Sequence, residues 1–144
     1  MNVLVTGISK GVGLITTKLL LSNGINVFGI SRSKTEELNE LIANYPLTLS
    51  WLQYDLSDTM NIRDRVFKNW IGINTVLHGF VNNAAIAYDD LITNLNLTAL
   101  EKMFEVNVYS PMILTKYTIR QMLLHQIEGS IVHLSSISVH TGYK

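Results

Sequence analysis

The chain begins with a short apolar run, Asn2 to Thr6, closed by Gly7. A run this short, bounded by glycine, predicts a buried strand. From Val12 to Leu21 the apolar positions change to helical spacing, with Val12, Ile15 and Leu19 on one face, and Ser22-Asn23-Gly24 marks the stop. Asn26 to Ser31 returns to a strand-like run in which Val27, Phe28 and Ile30 flank Gly29. Ser33-Lys34-Thr35-Glu36 has the form of a capping box, where a hydroxyl and a carboxylate satisfy each other's backbone N–H groups. A second helix is therefore expected, with Leu38, Leu41 and Ile42 as its buried stripe. Tyr45-Pro46 ends it, because the residue before proline is pushed out of helical geometry.

The same alternation continues. Leu47, Leu49, Trp51, Leu52 and Tyr54 predict a third strand that reaches Asp55, and Ile62, Val66 and Trp70 predict a helix capped at Ser57. A fourth strand is expected from Thr75 to Asn82. Thr98-Ala99-Leu100-Glu101 reads as a second capping box, opening a helix with Leu100, Met103 and Phe104 on one face. A long helix from Tyr109 to about His125 accommodates Pro111 only because it lies in the first turn. Gly129 to Ser136 is the fifth strand. Strands and helices alternating at βαβ spacing predict one α/β domain, a mostly parallel sheet with helices on both faces. Its ligand belongs outside the carboxyl ends of the strands, at the switch in strand order. Lys144 lies only eight residues past Ser136, which would leave the fifth strand without a following helix, so the domain is expected to be C-terminally incomplete; the alternative is a natural small fold capped by a partner chain.

Composition narrows the classes. With 47% hydrophobic and 15% charged side chains, 144 residues suffice for one core. Eleven Lys and Arg against eleven Asp and Glu give no net charge and no basic face for nucleic acid. The lack of cysteine removes disulfide scaffolds, thiolate nucleophiles and Cys-held zinc or iron-sulfur sites. His78, His125, His133 and His140 have no short metal-ligand spacing, and Asp89-Asp90 reads as turn charge, so no metal is expected. MNVLVTG has no basic region or cleavage site, and no apolar run nears the roughly 18 residues of a membrane span. The expected location is cytoplasmic, with no membrane partner.

The chemistry begins where the first strand runs into Thr6-Gly7-Ile8-Ser9-Lys10-Gly11-Val12-Gly13. Glycines at 7, 11 and 13 remove Cβ atoms that would hold a pyrophosphate off the backbone, and the N–H groups of the helix start can bind its oxygens. The dinucleotide fingerprint G-x-G-x-x-G is met in part, since Thr16 stands where the third glycine would fall. A tight βα turn without a ligand is the other reading. The second strand ends Gly29-Ile30-Ser31-Arg32-Ser33, without the acidic residue that an NAD site places on the ribose 2'-hydroxyl. Arg32 can instead pair with a 2'-phosphate, and Lys10 can approach the same charge, so NADP is favoured over NAD. The alternative is that both are ordinary solvated charges.

Thr6-Gly7-x-x-x-Gly11-x-Gly13, Asp55 after the third strand, Asn82-Asn83-Ala84 after the fourth, Asn107, and Ser135-Ser136 after the fifth together resemble the short-chain dehydrogenase/reductase (SDR) family over residues 1–144. Ala85 stands where the family usually has glycine. The resemblance implies a Rossmann-type three-layer α/β/α domain over residues 1–144 that binds NAD(P). It further implies that Thr6, Gly7, Ser9, Lys10, Gly11 and Gly13 surround the coenzyme and that Asp55 meets the adenine amino group with Leu56 beside it. Asn82, Asn83 and Ala84 would complete the cofactor site, with Asn82 stabilising the central strand. On the same basis Ser136 polarises a substrate carbonyl and Asn107 fixes a water in a proton relay. The family's acid/base Tyr and its Lys would fall near positions 149 and 153, beyond this sequence, and Tyr143-Lys144 has the wrong spacing to replace them.

The activity implied is NADP(H)-dependent interconversion of a carbonyl and a secondary alcohol on a small-molecule substrate, with 3-oxoacyl thioesters as one class. Residues 1–144 alone are expected to be inactive. A sugar or steroid-like alcohol dehydrogenase of the same family and a non-catalytic nucleotide-binding or regulatory protein are the alternatives. The apolar positions of the Tyr109 to His125 helix cover more than one face, which suits a homodimer or homotetramer of the full-length protein.

Overall fold

A computed structural model describes residues 1–137. Its sheet is parallel at every pairing and runs β3-β2-β1-β4-β5. β1 (Asn2–Thr6) is central, between β2 (Asn26–Ser31) and β4 (Gly79–Asn82). β3 (Leu49–Gln53) and β5 (Ser130–His133) form the edges. The chain steps outward from β1 to β3 and then crosses back to lay β4 against β1. Right-handed crossovers put the helices of the first two steps on one face and the later ones on the other. The connections at the carboxyl ends of β1 and β4 thus part in opposite directions and leave a crevice.

Strand alternation fills both layers. Val3, Val5 and Val27 pack with Ile8, Leu14, Leu38 and Leu41 under α1 (Gly11–Ser22) and α2 (Glu36–Asn44). Leu4, Ile30 and Phe80 pack on the other face with Ile62, Val66, Phe67, Ile71 and Leu114. There the helices are the π-wound Arg63–Ile71 segment and α4 (Ser110–Leu124). α3 (Leu97–Phe104) leads into α4 through a second π-wound segment, Glu105–Tyr109. The Rossmann-type order of layers expected from the sequence is therefore present.

Several local expectations are corrected. Val12, Ile15 and Leu19 are 58%, 65% and 63% exposed; the face of α1 that meets the sheet carries Gly13, Leu14, Thr17 and Leu21. The helix is apolar on several sides, and Gly13 decides which side turns inward because it must lie against Gly7. A Cβ on Gly13 would stand 2.2 Å from the Gly7 carbonyl oxygen. The α2 cap is Thr35, which accepts from Leu38 N, and the α3 cap is Asn96, which accepts from Ala99 N; Ser33 and Thr98 do not serve. Leu47 is 96% exposed and precedes β3, Ser57 spends its hydroxyl on Asp55, and β4 and β5 are shorter than their apolar runs. α3 has no buried residue, and Phe104 is exposed.

Candidate functional site

The glycine loop is built by backbone geometry. Gly7 takes φ +75°, a left-handed conformation natural to glycine, and its N–H donates to Ile30 O at 2.8 Å, turning the chain over the end of β2. Ile8 is fully buried and fills the space above Gly29, where a Cβ would meet its Cδ1 at 2.1 Å. Gly11 also has positive φ, +60°, but a Cβ there would meet nothing within 4 Å, so the loop is open on that side. Lys10, extended, precedes α1 without a side-chain cap. The first-turn N–H groups of α1 have no partner within the helix, and no acidic residue occupies that turn.

Thr6 joins this loop to the segment after β4. Its hydroxyl donates to Asn82 Oδ1 at 3.3 Å and accepts from the N–H groups of Asn83 and Ala84 at 3.1 Å each. Asn83 Nδ2 returns two bonds, to Thr6 O at 2.9 Å and Gly7 O at 3.2 Å. The Asn83 amide therefore occupies the space left by two missing Cβ atoms, lying 2.7 Å from the position of one on Gly7 and 2.4 Å from that on Gly13.

These segments enclose a cleft of about 410 Å³ at the carboxyl ends of β1, β2 and β4. Of the sequence-selected residues, Gly7, Ser9, Lys10, Arg32, Asp55, Leu56, Asn83 and Ala84 line it. Thr6, Asn82 and Gly13 form its frame. Thr35, Tyr54, Ile86 and Val106 also line it and were not singled out. Thr35 had a legible signal, a hydroxyl at a helix start; it donates to Ser9 O at 2.6 Å and so ties α2 to the glycine loop. Ile86 and Val106 are apolar residues that only the tertiary fold brings to the cleft. Arg32, Tyr54 and Asp55 are shared with an adjoining polar hollow of about 550 Å³ that also contains Asp58 and Arg65.

Asp55 is an ionised acceptor. Burial alone would raise its pKa, but hydrogen bonds from Ser57 N and Oγ at 3.0 and 2.9 Å, with the Lys102 and Arg32 charges, hold the carboxyl below its ordinary value. Lys102 Nζ lies 3.7 Å from its second oxygen. Tyr54 is shifted upward, first by burial and then by Asp58, and its hydroxyl donates to Asp58 O. Its proton is committed, which leaves it a structural group rather than an acid/base.

The two candidates for catalysis lie on separate segments of the chain. Asn107 lies in the Glu105–Tyr109 segment and clamps the cleft wall, donating to Ile86 O at 2.7 Å and accepting from Ile86 N at 2.9 Å. It also lines a separate open groove with Pro111, Met112, Thr115 and His133. Ser136 lies beyond β5, exposed and outside the lining of either space. His78 Nδ1 accepts from Asn2 N, His125 contacts Ile73 O and His133 contacts Thr115. His140, Tyr143 and Lys144 lie outside the described residues. No helix among the described residues is long and apolar enough to cross a membrane.

Comparison with known proteins fits this arrangement. A family model described as short chain dehydrogenase matches residues 1–144. L-xylulose reductase of Caenorhabditis elegans is 28% identical over 135 residues, 94% of this chain and 53% of that protein. A 3-oxoacyl-(acyl-carrier-protein) reductase, FabG, of Chlamydia pneumoniae is 28% identical over 146 residues, 98% of this chain and 57% of the relative. A crystal structure of a short-chain dehydrogenase from Streptomyces avermitilis superposes with a TM-score of 0.75 at 27% identity, covering 94% of this chain and 48% of the other. The chain thus spans about half the length of the proteins it matches.

Proposed function

The chain belongs to the short chain dehydrogenase family, and on that premise we propose that it forms the coenzyme-binding part of an NADP(H)-dependent oxidoreductase interconverting a carbonyl and a secondary alcohol. The observation that carries this reading is Arg32 at the end of β2, lining the cleft where an NAD site would offer a carboxylate. A guanidinium gives a 2'-phosphate paired, charge-assisted hydrogen bonds, and Lys10, which also lines the cleft, adds a second cation.

The other contacts follow from the donor set. The open side of Gly11 and the uncapped start of α1 suit the pyrophosphate, for which a Cβ-free backbone and unpaired N–H groups are the requirement. Ionised Asp55 suits the exocyclic amino group of adenine, with Leu56 beside the ring. When bound, the coenzyme supplies or accepts the hydride. Ser136 would donate its hydroxyl to the substrate carbonyl oxygen, and Asn107 would order the adjoining wall through Ile86. Among the described residues that line the cleft, Tyr54 has its hydroxyl proton engaged on Asp58 O and is not poised to protonate the product oxygen. Residues 1–144 alone are accordingly expected to bind coenzyme without turnover, and a purely nucleotide-binding role is the second reading.

The substrate class stays with small carbonyl compounds and alcohols. The reductase relatives act, by their names, on a sugar and on a carrier-linked 3-oxoacyl chain, and both classes are retained here. A cytoplasmic location and assembly into a dimer or tetramer belong to the same proposal. The outward residues Met112, Leu123 and Leu124 of α4 are the apolar surface available for assembly. Calorimetric titration of the chain with NADPH and NADH, repeated on Arg32→Ala, tests the reading. NADPH should bind at least tenfold tighter, on the scale of one lost charge-assisted bond or more, and Arg32→Ala should remove the difference. Equal affinities in the unmodified protein would overturn it.

A further inference from the structure

The loop that carries Arg32 is held by a neighbouring strand through Trp51 and Gln53, which lie outside the cleft lining, and through Ser31, which is part of it. In the β2–β3 register Gly29 faces Trp51 and Ser31 faces Gln53, so Trp51 and Ser31 share one face of the sheet, one pleat apart. Trp51 Nε1 reaches forward and donates to Ser31 Oγ at 2.8 Å. Ser31, itself buried, passes its own proton to Ser33 O at 2.9 Å. The hydroxyl is thereby used both as acceptor and as donor, which fixes its rotor. Gln53 Nε2 donates to the next carbonyl, Arg32 O, at 2.9 Å. Lys34 Nζ stands 4.4 Å from the Trp51 ring centroid, so the residue after the turn is also fastened to the same indole.

We propose that Trp51 is a positioning residue for coenzyme choice: through Ser31 its indole N–H holds the Arg32 turn in the shape that receives a 2'-phosphate. This rests on the NADP(H) reading above and extends it to a residue that does not itself line the cleft. A guanidinium gains its advantage over a point charge only when its planar fork meets the phosphate oxygens in register. A long side chain is prepared for that only if the backbone beneath it is fixed. Trp51, Ser31 and Gln53 fix the carbonyls of Arg32 and Ser33, the two consecutive peptide carbonyls that follow the Arg32 side chain. Lys34 lies outside the cleft lining, so it acts on the clamp and not on the phosphate.

Trp51→Phe tests this, since it keeps a ring for Lys34 and deletes the N–H. Ser31→Ala cuts the same connection at its other end with a smaller change of volume. Calorimetry on the 144-residue chain should show each variant weakening NADPH about five- to tenfold, the scale of one lost hydrogen bond at a preorganised contact, with NADH changed less than about twofold. In an Arg32→Ala background neither substitution should have a further effect on NADPH. An unchanged NADPH affinity, a parallel loss for both coenzymes, or a loss that persists without Arg32 would overturn the assignment. Equal binding of NADPH and NADH by the unmodified chain would instead remove the coenzyme reading, and this inference with it. A normal preference with inert variants removes the inference alone.

Discussion

Gly13→Ala should destabilise the domain although it exchanges a poor helix former for the best one. The added Cβ would lie 2.2 Å from Gly7 O, 2.9 Å from Gly7 C and 2.4 Å from Asn83 Nδ2, where ordinary contact begins at 3.4 Å. Two of these neighbours are backbone, and the third is held by bonds to Thr6 O and Gly7 O. Relief therefore requires α1 to move about 1 Å away from the loop, the gap between 2.2 and 3.4 Å. Overpacking of this kind costs about 1–3 kcal/mol, and losing the two Asn83 bonds costs roughly another 1–2 kcal/mol. Helix propensity returns about 1 kcal/mol, leaving a net loss of roughly 1–4 kcal/mol. At about 3–4 °C per kcal/mol for a domain of this size, Tm should fall by about 3–16 °C, read by circular dichroism and by the urea midpoint. Gly11→Ala is the control: its Cβ meets nothing, and only its positive φ resists substitution, at about 1 kcal/mol. A Gly13→Ala protein as stable as Gly11→Ala would refute the argument that helix approach, and not local conformation, requires this glycine.

The same geometry makes three further expectations. Thr6→Val keeps the volume but strands the N–H groups of Asn83 and Ala84, and should cost about 1–3 kcal/mol in urea unfolding; a neutral effect would mean the hub is not needed. Asn107→Ala should expose the Ile86 amide to rapid hydrogen exchange while β1 amides stay protected, and unchanged protection at Ile86 would contradict the clamp. Asp55 has a folded-state pKa below its ordinary 3.8, so its contribution to stability is fully present above that value and fades as pH falls through the lowered one. The stability gap between the unmodified protein and Asp55→Asn should therefore shrink in acid, and a gap constant from about pH 7 to about pH 2.5 would show no such linkage.

What the sequence disclosed depended on how local each determinant was. β1 and β2 were legible to the residue because short apolar runs bounded by Gly7 and Gly24 admit little else. The order of motifs was likewise sufficient to identify the family and the layers of the sheet. The inward face of α1 was not legible: Val12, Ile15 and Leu19 have proper helical spacing, but the Gly13–Gly7 approach settles the rotation of the helix. Caps shifted by two residues because Thr35 and Asn96 compete with equally good neighbours, and tertiary bonds such as Thr35 to Ser9 O decide between them. Asn83 was selected for the coenzyme, yet both bonds of its amide go to the glycine loop, a role set by a contact 76 residues away in sequence. Trp51 looked like core alone, since no pattern in sequence pairs an indole with a serine on the next strand.

The most direct test of the account is an amide chemical-shift titration of the labelled chain with NADPH and, separately, NADH. Saturable shifts with NADPH should fall on Ser9 to Gly13, Arg32, Ser33, Leu56 and Ala84, around the cleft at the ends of β1, β2 and β4. With NADH the Arg32 and Ser33 shifts should be small while those of the glycine loop remain. Shifts confined to the groove of Asn107, Thr115 and His133, or none that saturate, would contradict the claim that this cleft is a nucleotide site.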